Sequence, residues 1–422
     1  MTRTIIFLLT VCFLAASWAT TRSYDYPFDD KFVATVVGTP PEFRAKLPKQ
    51  IPLKKGRLTV FEDRDSPEWF WYEDGLKYSY ALQEKPAPLV FLIAGTGGSY
   101  SGVKITNMAR ALYKAGFHVV TLSSPIHVNF IVTASRTSVP GHAVHDAEDL
   151  YRVMELIWDA LKPEIEVTDF SVAGYSLGGF NAAFLTRLDE DRKVFRFRKA
   201  LMINPPVRLY SSISVLDRMI ENIPGGADNF NRFLQNAIAA FTRVFRADQA
   251  LDLSEDALYR AFEIMEPKNE ELAALIGVSF RMSSANLAFA ADVMTDFGYV
   301  KPRNVVLTLN TSTQEYLKVV YRLGFTDYFH NFFFPYYRAR DPSITREQLI
   351  EMMSLTAIED YLRASEKVVV MHNEDDFILL PGEIDFFRRV FGERAKIYPI
   401  GGHCGNMEHR DNVAHMVNVL RH

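Results

Sequence analysis

The stretch Gly174-Tyr175-Ser176-Leu177-Gly178 limits what this chain can fold into more than any other. Ahead of it, Asp169-Phe170-Ser171-Val172-Ala173 reads as a short buried strand. Behind it, Gly179-Phe180-Asn181-Ala182-Ala183-Phe184-Leu185 reads as a helix of small and apolar residues. A turn this sharp from strand to helix forces its central serine into a strained backbone conformation. A glycine two residues to either side lets neighbouring backbone come close. The Ser176 hydroxyl then stands clear of the sheet and faces the same space as the N–H groups that open the helix. The pentapeptide alone is weak, since glycine and serine are common in loops. With both flanks in place, Ser176 becomes a candidate nucleophile.

Other segments supply the rest of such a sheet. Leu89-Val90-Phe91-Leu92-Ile93, Phe117-His118-Val119-Val120-Thr121-Leu122, Ala200-Leu201-Met202-Ile203-Asn204 and Lys367-Val368-Val369-Val370-Met371 are apolar runs of strand length. Helical patterns lie between them at 105–115 and 146–161, the latter with Leu150, Val153, Leu156, Ile157 and Leu161 at helical spacing. Apolar strands alternating with helices predict an α/β protein, its central sheet mostly parallel and covered by helices on both faces. Arg57-Leu58-Thr59-Val60-Phe61 and Lys77-Tyr78-Ser79-Tyr80-Ala81-Leu82 alternate like strands ahead of it. A helix at 384–391, a strand at 395–399 and a helix from Asp411 follow the last apolar run.

The alternation stops between 210 and 365. That stretch has helical patterns at 231–245, 254–265, 269–280 and 345–362, and one weak strand pattern at 305–308. It reads as a helical cap inserted over one end of the sheet. The organisation expected is an extended N-terminal arm at 20–56, a core at 57–208 and 366–422, and a helical cap at 209–365. A chain of 422 residues, 48% of them hydrophobic, has ample material for such a core, and a formal charge of −4 gives no reason to expect a nucleic-acid partner.

Residues 1–19 read as a signal peptide. Met1-Thr2-Arg3 is positive, 4–16 is largely apolar, and Ser17-Trp18-Ala19 offers small residues for cleavage after Ala19, so the protein is expected to be exported, to the periplasm or beyond. The apolar run is too short to span a bilayer, and the alternative is an uncleaved interfacial anchor. Cleavage removes Cys12 and leaves Cys404 as the only cysteine, which excludes an intrachain disulfide.

A serine nucleophile needs a base and a group to orient that base. The apolar run ending at Met371 leads into His372-Asn373-Glu374-Asp375-Asp376-Phe377-Ile378, which places carboxylates at the C-terminal edge of a strand. The next strand leads into Ile400-Gly401-Gly402-His403-Cys404-Gly405, a histidine in a glycine-rich loop. In motif placement and in the chain order Ser176, Asp376, His403, the sequence resembles the α/β-hydrolase-fold serine hydrolases with a helical cap. The resemblance covers residues 89–204 and 367 to the C-terminus.

The resemblance implies that Ser176 attacks a carbonyl, His403 takes its proton and an aspartate holds the imidazole. The family's usual spacing selects Asp376, with Asp375 the alternative. The resemblance also implies an oxyanion hole built from the N–H of Leu177 and the N–H of Thr96, in Ala94-Gly95-Thr96 where the family often has His-Gly-x. No metal or organic cofactor is implied. A phosphate-binding turn at Gly95-Thr96-Gly97-Gly98 is a poor alternative, because no Lys-Ser/Thr follows at the required spacing.

Three functions remain open on this reading. One is an esterase acting on a carboxylic ester with an apolar acyl group or a lipid. The second is a serine peptidase of the aminopeptidase type, which would need a cap carboxylate such as Glu263, Glu266, Asp292 or Asp296 to hold the substrate amine. The third is a binding protein that keeps the fold without turnover. The aromatic stretch Phe325-Thr326-Asp327-Tyr328-Phe329-His330-Asn331-Phe332-Phe333-Phe334-Pro335-Tyr336-Tyr337 reads as cap core, or alternatively as an apolar acyl pocket or a membrane-facing lip over Ser176. His127, His142, His145 and His372 read as satisfied loop or core histidines, and Tyr175 as packed against the sheet.

Overall fold

The computed structural model of the chain describes residues 24–247, 259, 262 and 267–422. The expected signal peptide with Cys12, most of the helical pattern at 254–265, and both Glu263 and Glu266 lie outside the described residues.

Eight strands form one sheet: β1 (Lys54–Leu58), β2 (Leu76–Ala81), β3 (Ala87–Ile93), β4 (His118–Leu122), β5 (Val167–Tyr175), β6 (Lys199–Ile203), β7 (Val368–Asn373) and β8 (Ala395–Tyr398). Their order is β1-β2-β4-β3-β5-β6-β7-β8. β2 runs antiparallel to both neighbours, and every other pairing from β4 to β8 is parallel. This is the α/β-hydrolase fold.

Helix α1 (Lys31–Val37) precedes the sheet. Among the helices joining the parallel strands are α2 (Val103–Lys114), α3 (Val128–Thr133), α4 (Ala143–Leu161) and α5 (Leu177–Arg192). The buried stretches of the parallel strands are mostly apolar because both faces are covered, β3 without a break. In β3, Leu89, Phe91 and Ile93 face a core shared with Leu150 and Val153 of α4 and Phe180 of α5. Val90 and Leu92 of the same strand face the opposite core, shared with Ile105 and Leu112 of α2 and with Met416 of the C-terminal helix Arg410–Arg421.

Between β6 and β7 the described residues contribute no strand to the sheet. The expected strand at 305–308 is irregular, with Val306 77% exposed. β-branched residues favour a strand only where a neighbouring edge pairs with them. The helix expected at 269–280 runs on as the long cap helix Asn269–Thr295. That expected at 345–362 breaks into Arg346–Met352, a 3-10 turn Leu355–Ile358 and Glu359–Ala364. The break falls where the segment leaving the cap pairs with the segment entering it, with Leu209 N–H bonded to Met353 O (3.1 Å) and Leu355 N–H to Val207 O (2.8 Å).

The aromatic stretch is cap core. It forms helices Phe325–Tyr328 and Phe334–Arg338 around a π turn at Phe329–Phe333, and Phe329, Phe332 and Phe333 are fully buried. Tyr328 Oη donates to Pro140 O (3.1 Å), and Tyr337 Oη lies 3.0 Å from His145 Nδ1. The reading of this stretch as a membrane-facing lip is therefore corrected, because its rings are spent on packing. The arm is corrected too. It is not extended throughout, since Asp30 accepts hydrogen bonds from the N–H groups of Phe32 and Val33 and so caps α1.

Candidate active site

Ser176 sits at φ 55°, ψ −124°, between the end of β5 and the start of α5. Its N–H bonds to Ile203 O on the adjacent strand (2.8 Å) and its carbonyl accepts the Phe180 N–H (3.1 Å). A side chain at Gly178 would overlap the carbonyl oxygen of Ile93, so the helix passes against β3 only because that position is glycine. Backbone strain of this kind costs about 1–3 kcal/mol. Burial of Val172 and Phe180 on the two sides, at roughly 1.5–3 kcal/mol each, is enough to hold it.

His403 lies in the loop after β8, and its Nε2 is 2.9 Å from Ser176 Oγ. Its Nδ1 is 2.9 Å from Asp376 Oδ2. Asp376 Oδ2 also accepts from Asn204 Nδ2 (2.9 Å), and its Oδ1 accepts the Ile378 N–H (3.2 Å). With Nδ1 donating to the carboxylate, Nε2 is left as the acceptor for the serine hydroxyl. All three side chains are buried.

Burial opposes ionisation of Asp376, yet the facing His403 ring, the nearby His372 and the Asn204 amide together hold its pKa below the usual carboxylate range. Burial likewise disfavours the His403 imidazolium, but the Asp376 charge outweighs it and raises the histidine above the ordinary imidazole value.

Asp375 has a different partner. It accepts the N–H groups of Gly401 (3.2 Å) and Gly402 (2.9 Å), and so pins the loop that carries His403. Asn373 adds a second tie, donating to Gly402 O (2.8 Å) and exchanging amide hydrogen bonds with Asn406.

The N-terminal arm forms a wall of the site, which the sequence reading missed. Thr35 Oγ1 on α1 accepts the His403 N–H (2.8 Å) while donating to Lys31 O (2.7 Å). A side chain at Gly402, where φ is +56°, would overlap Lys31 O, so the loop is glycine-rich because α1 lies directly on it. The available signal was Asp30 followed by Phe32, Val33, Val36 and Val37. A seven-residue helix rich in β-branched residues shows little periodicity and low helix propensity. Asn204, at the end of β6, was missed as well.

The cavity over Ser176 measures about 310 Å³. Thr96 and Tyr175 line it, and Tyr175 packs against the sheet core as expected while also presenting surface to the cavity. Leu177 is the first residue of α5, and its N–H has no acceptor within its own helix. The loop carrying Thr96 is tied down without the family's histidine: Gly98 N–H bonds to Gly95 O (2.8 Å) and Ser124 N–H to Gly98 O (2.9 Å). The apolar wall comes from Leu275, Ile276 and Phe280 of the long cap helix and Val36 of α1, and no residue of the aromatic stretch reaches it.

Cys404 is free and buried, with Sγ 3.9 Å from His403 Nε2, a full ångström farther than the serine oxygen. The other histidines singled out in the sequence have structural partners. His372 Nε2 lies 3.0 Å from Pro205 O, His127 caps α3, and His142 stacks on His145.

No protein-family model and no curated protein sequence matches the chain. Among solved structures it is similar to an esterase of Pyrococcus furiosus, at 11% identity over 88% of this chain and 91% of that one, with a TM-score of 0.39. It is similar to the proline iminopeptidase of Mycobacterium smegmatis at 14% identity, over 85% and 97% of the two chains, with a TM-score of 0.39. It is also similar to a fungal esterase from Rhizomucor miehei at 13% identity, over 89% and 84%, with a TM-score of 0.41. Likenesses this distant leave the chemistry to be argued from the residues.

Proposed function

We propose that the protein is an exported serine hydrolase that cleaves a carboxylic ester through an acyl-enzyme. The observation that carries this reading is the single hydrogen-bonded chain from Ser176 Oγ through His403 to Asp376, with links of 2.9 Å and 2.9 Å. Ser176 Oγ attacks the ester carbonyl while His403 Nε2 takes its proton, and Asp376 stabilises the imidazolium. The negative charge that develops on the carbonyl oxygen falls to the N–H groups of Leu177 and Thr96. His403 returns its proton to the departing alcohol, leaving the acyl group on Ser176. It then takes a proton from the attacking water and passes it to Ser176 Oγ as the acid leaves, which restores the free serine and the neutral imidazole. In this reading the core at 57–208 and 366–422 carries the reacting groups, the cap at 209–365 covers them, and the signal at 1–19 directs export.

The aminopeptidase reading is not favoured. Among the described residues no carboxylate lines the cavity. Asp292 accepts the backbone N–H groups of residues 298–301, and Asp296 pairs with Lys301. A binding role without turnover would leave the buried serine–histidine–aspartate chain without a use.

Covalent labelling with a fluorophosphonate tests the proposal. Wild type should label at one site and Ser176→Ala should not; equal labelling of both would remove Ser176 as the nucleophile. Hydrolysis should also rise with pH, because the base form of His403 lacks the Nε2 proton. Since Asp376 raises the histidine pKa, the midpoint of that rise in kcat/KM should lie above the ordinary imidazole value of about 6.5. A midpoint below it would contradict the assignment.

A further inference from the structure

We infer that Lys104 makes this cavity a site for esters that carry an anionic group, an inference that rests on the hydrolase reading and narrows its substrate class. Lys104 lies in the first turn of α2 and lines the same cavity as Ser176 and His403. Its Nζ donates to the carbonyl oxygen of Cys404 at 2.6 Å, which fixes the ammonium one residue from the histidine. An ammonium has three N–H donors and Cys404 takes one, so two remain for a ligand or for water.

No carboxylate among the described residues lies within ion-pair distance of Lys104, and none lines the cavity. The described lysines on the surface near acidic neighbours, such as Lys77 with Glu73 and Lys367 with Glu190, are paired. Lys104 is half-buried. A cation with no counter-charge among the described residues, set beside an apolar wall, offers a bound anion charge-assisted hydrogen bonds.

The remaining walls set the rest of the ligand. Ile276 and Phe280 of the cap helix offer apolar surface, while Ser279 adds a hydroxyl. A cavity of about 310 Å³ is at the small end for ligand sites. The combination suits a short-chain ester with a carboxylate or phosphate a few atoms from the scissile carbonyl. It repels the protonated amine that an aminopeptidase substrate would bring.

Matched esters separate the charge from the chain. Mono-p-nitrophenyl glutarate and p-nitrophenyl valerate have acyl chains of equal length and differ in a terminal carboxylate, and a phosphate-bearing ester of similar length serves as the other anion. Wild type should favour the better anionic ester by at least about tenfold in kcat/KM. Lys104→Met should erase that preference, Lys104→Arg should keep most of it, and Lys104→Glu should invert it. The preference should shrink as salt is raised.

Two results would overturn the inference. One is a wild type that turns over valerate while favouring neither anionic ester. The other is a Lys104→Met variant that loses both ester classes in equal proportion, which would make Lys104 only a brace for the Cys404 carbonyl. Absence of all hydrolysis together with an unlabelled Ser176 would instead remove the hydrolase reading, and this inference with it.

Discussion

Asp376→Asn is expected to lower kcat roughly ten-thousandfold, with substrate binding little changed. The carboxylate accepts from His403 Nδ1 and from the Asn204 amide at the same oxygen, Oδ2, both at 2.9 Å. An asparagine must turn either its amide hydrogens or its oxygen towards the ring. Turning the hydrogens inward makes Nδ1 an acceptor and puts the ring proton on Nε2, where it blocks the serine. Turning the oxygen inward keeps the tautomer but loses the charge that favours the imidazolium. The same loss of charge should shift the pH midpoint downward relative to wild type.

Asp375→Asn is the control. That side chain only accepts the Gly401 and Gly402 N–H groups, and an asparagine oxygen can keep one of them. Turnover should stay within roughly tenfold of wild type. Stability should drop by about 1–2 kcal/mol, read as a fall of a few degrees in Tm. Steady-state kinetics on a p-nitrophenyl ester and thermal unfolding of both variants decide the matter. A larger catalytic loss in Asp375→Asn would reverse the two roles.

Gly402→Ala is expected to lower kcat by about a hundredfold while the protein remains folded. The methyl group would overlap the Lys31 carbonyl, and the residue already sits at φ +56°. Either α1 lifts or the loop carrying His403 moves, and a shift near 1 Å at a reacting group costs on that order. Fluorophosphonate labelling of Ser176 should slow in parallel, because it uses the same base. Thr35→Val separates the two ways of disturbing this contact. It removes the hydrogen bond to the His403 N–H without adding an overlap, and should cost about tenfold or less. A Gly402→Ala protein with wild-type turnover and wild-type Tm would show that α1 does not hold the loop.

How legible the site is depends on how local each signal is. The turn at Ser176 announces itself within a dozen residues, because strand, glycine spacing and helix are contiguous in the chain. The strands β3 to β7 are legible for a similar reason. Burial on both faces demands unbroken apolar runs, and short apolar runs between helices suit few other folds. His403 is legible from its place in a glycine-rich loop after a strand. The reason for those glycines is not, since it lies in a helix more than 360 residues earlier in the chain.

The arm shows the limit most clearly. Nothing in residues 31–37 distinguishes a helix that walls a cavity from an irregular segment, because seven residues give fewer than two full turns in which to show a period. The weak strand pattern at 305–308 fails in the opposite direction, since β-branched residues state a preference that only a neighbouring edge can satisfy. The aromatic stretch reads as cap core in the sequence but leaves a lipid-facing lip open as an alternative, because composition records greasiness and not the direction in which a ring points. Its rings pack inward, and the cavity takes its apolar wall from the long cap helix instead.

By itself, then, the amino-acid sequence determined the α/β architecture and the turn at Ser176, along with the chain order of serine, aspartate and histidine. Each of these is written in a contiguous run whose period or spacing follows from the backbone. Tertiary structure alone decided that Asp375 pins the loop, that α1 closes one wall, and that Lys104 enters the cavity with no carboxylate partner among the described residues. Those outcomes depend on distances between segments far apart in the chain, and such distances are set only when the sheet and its covering helices pack together.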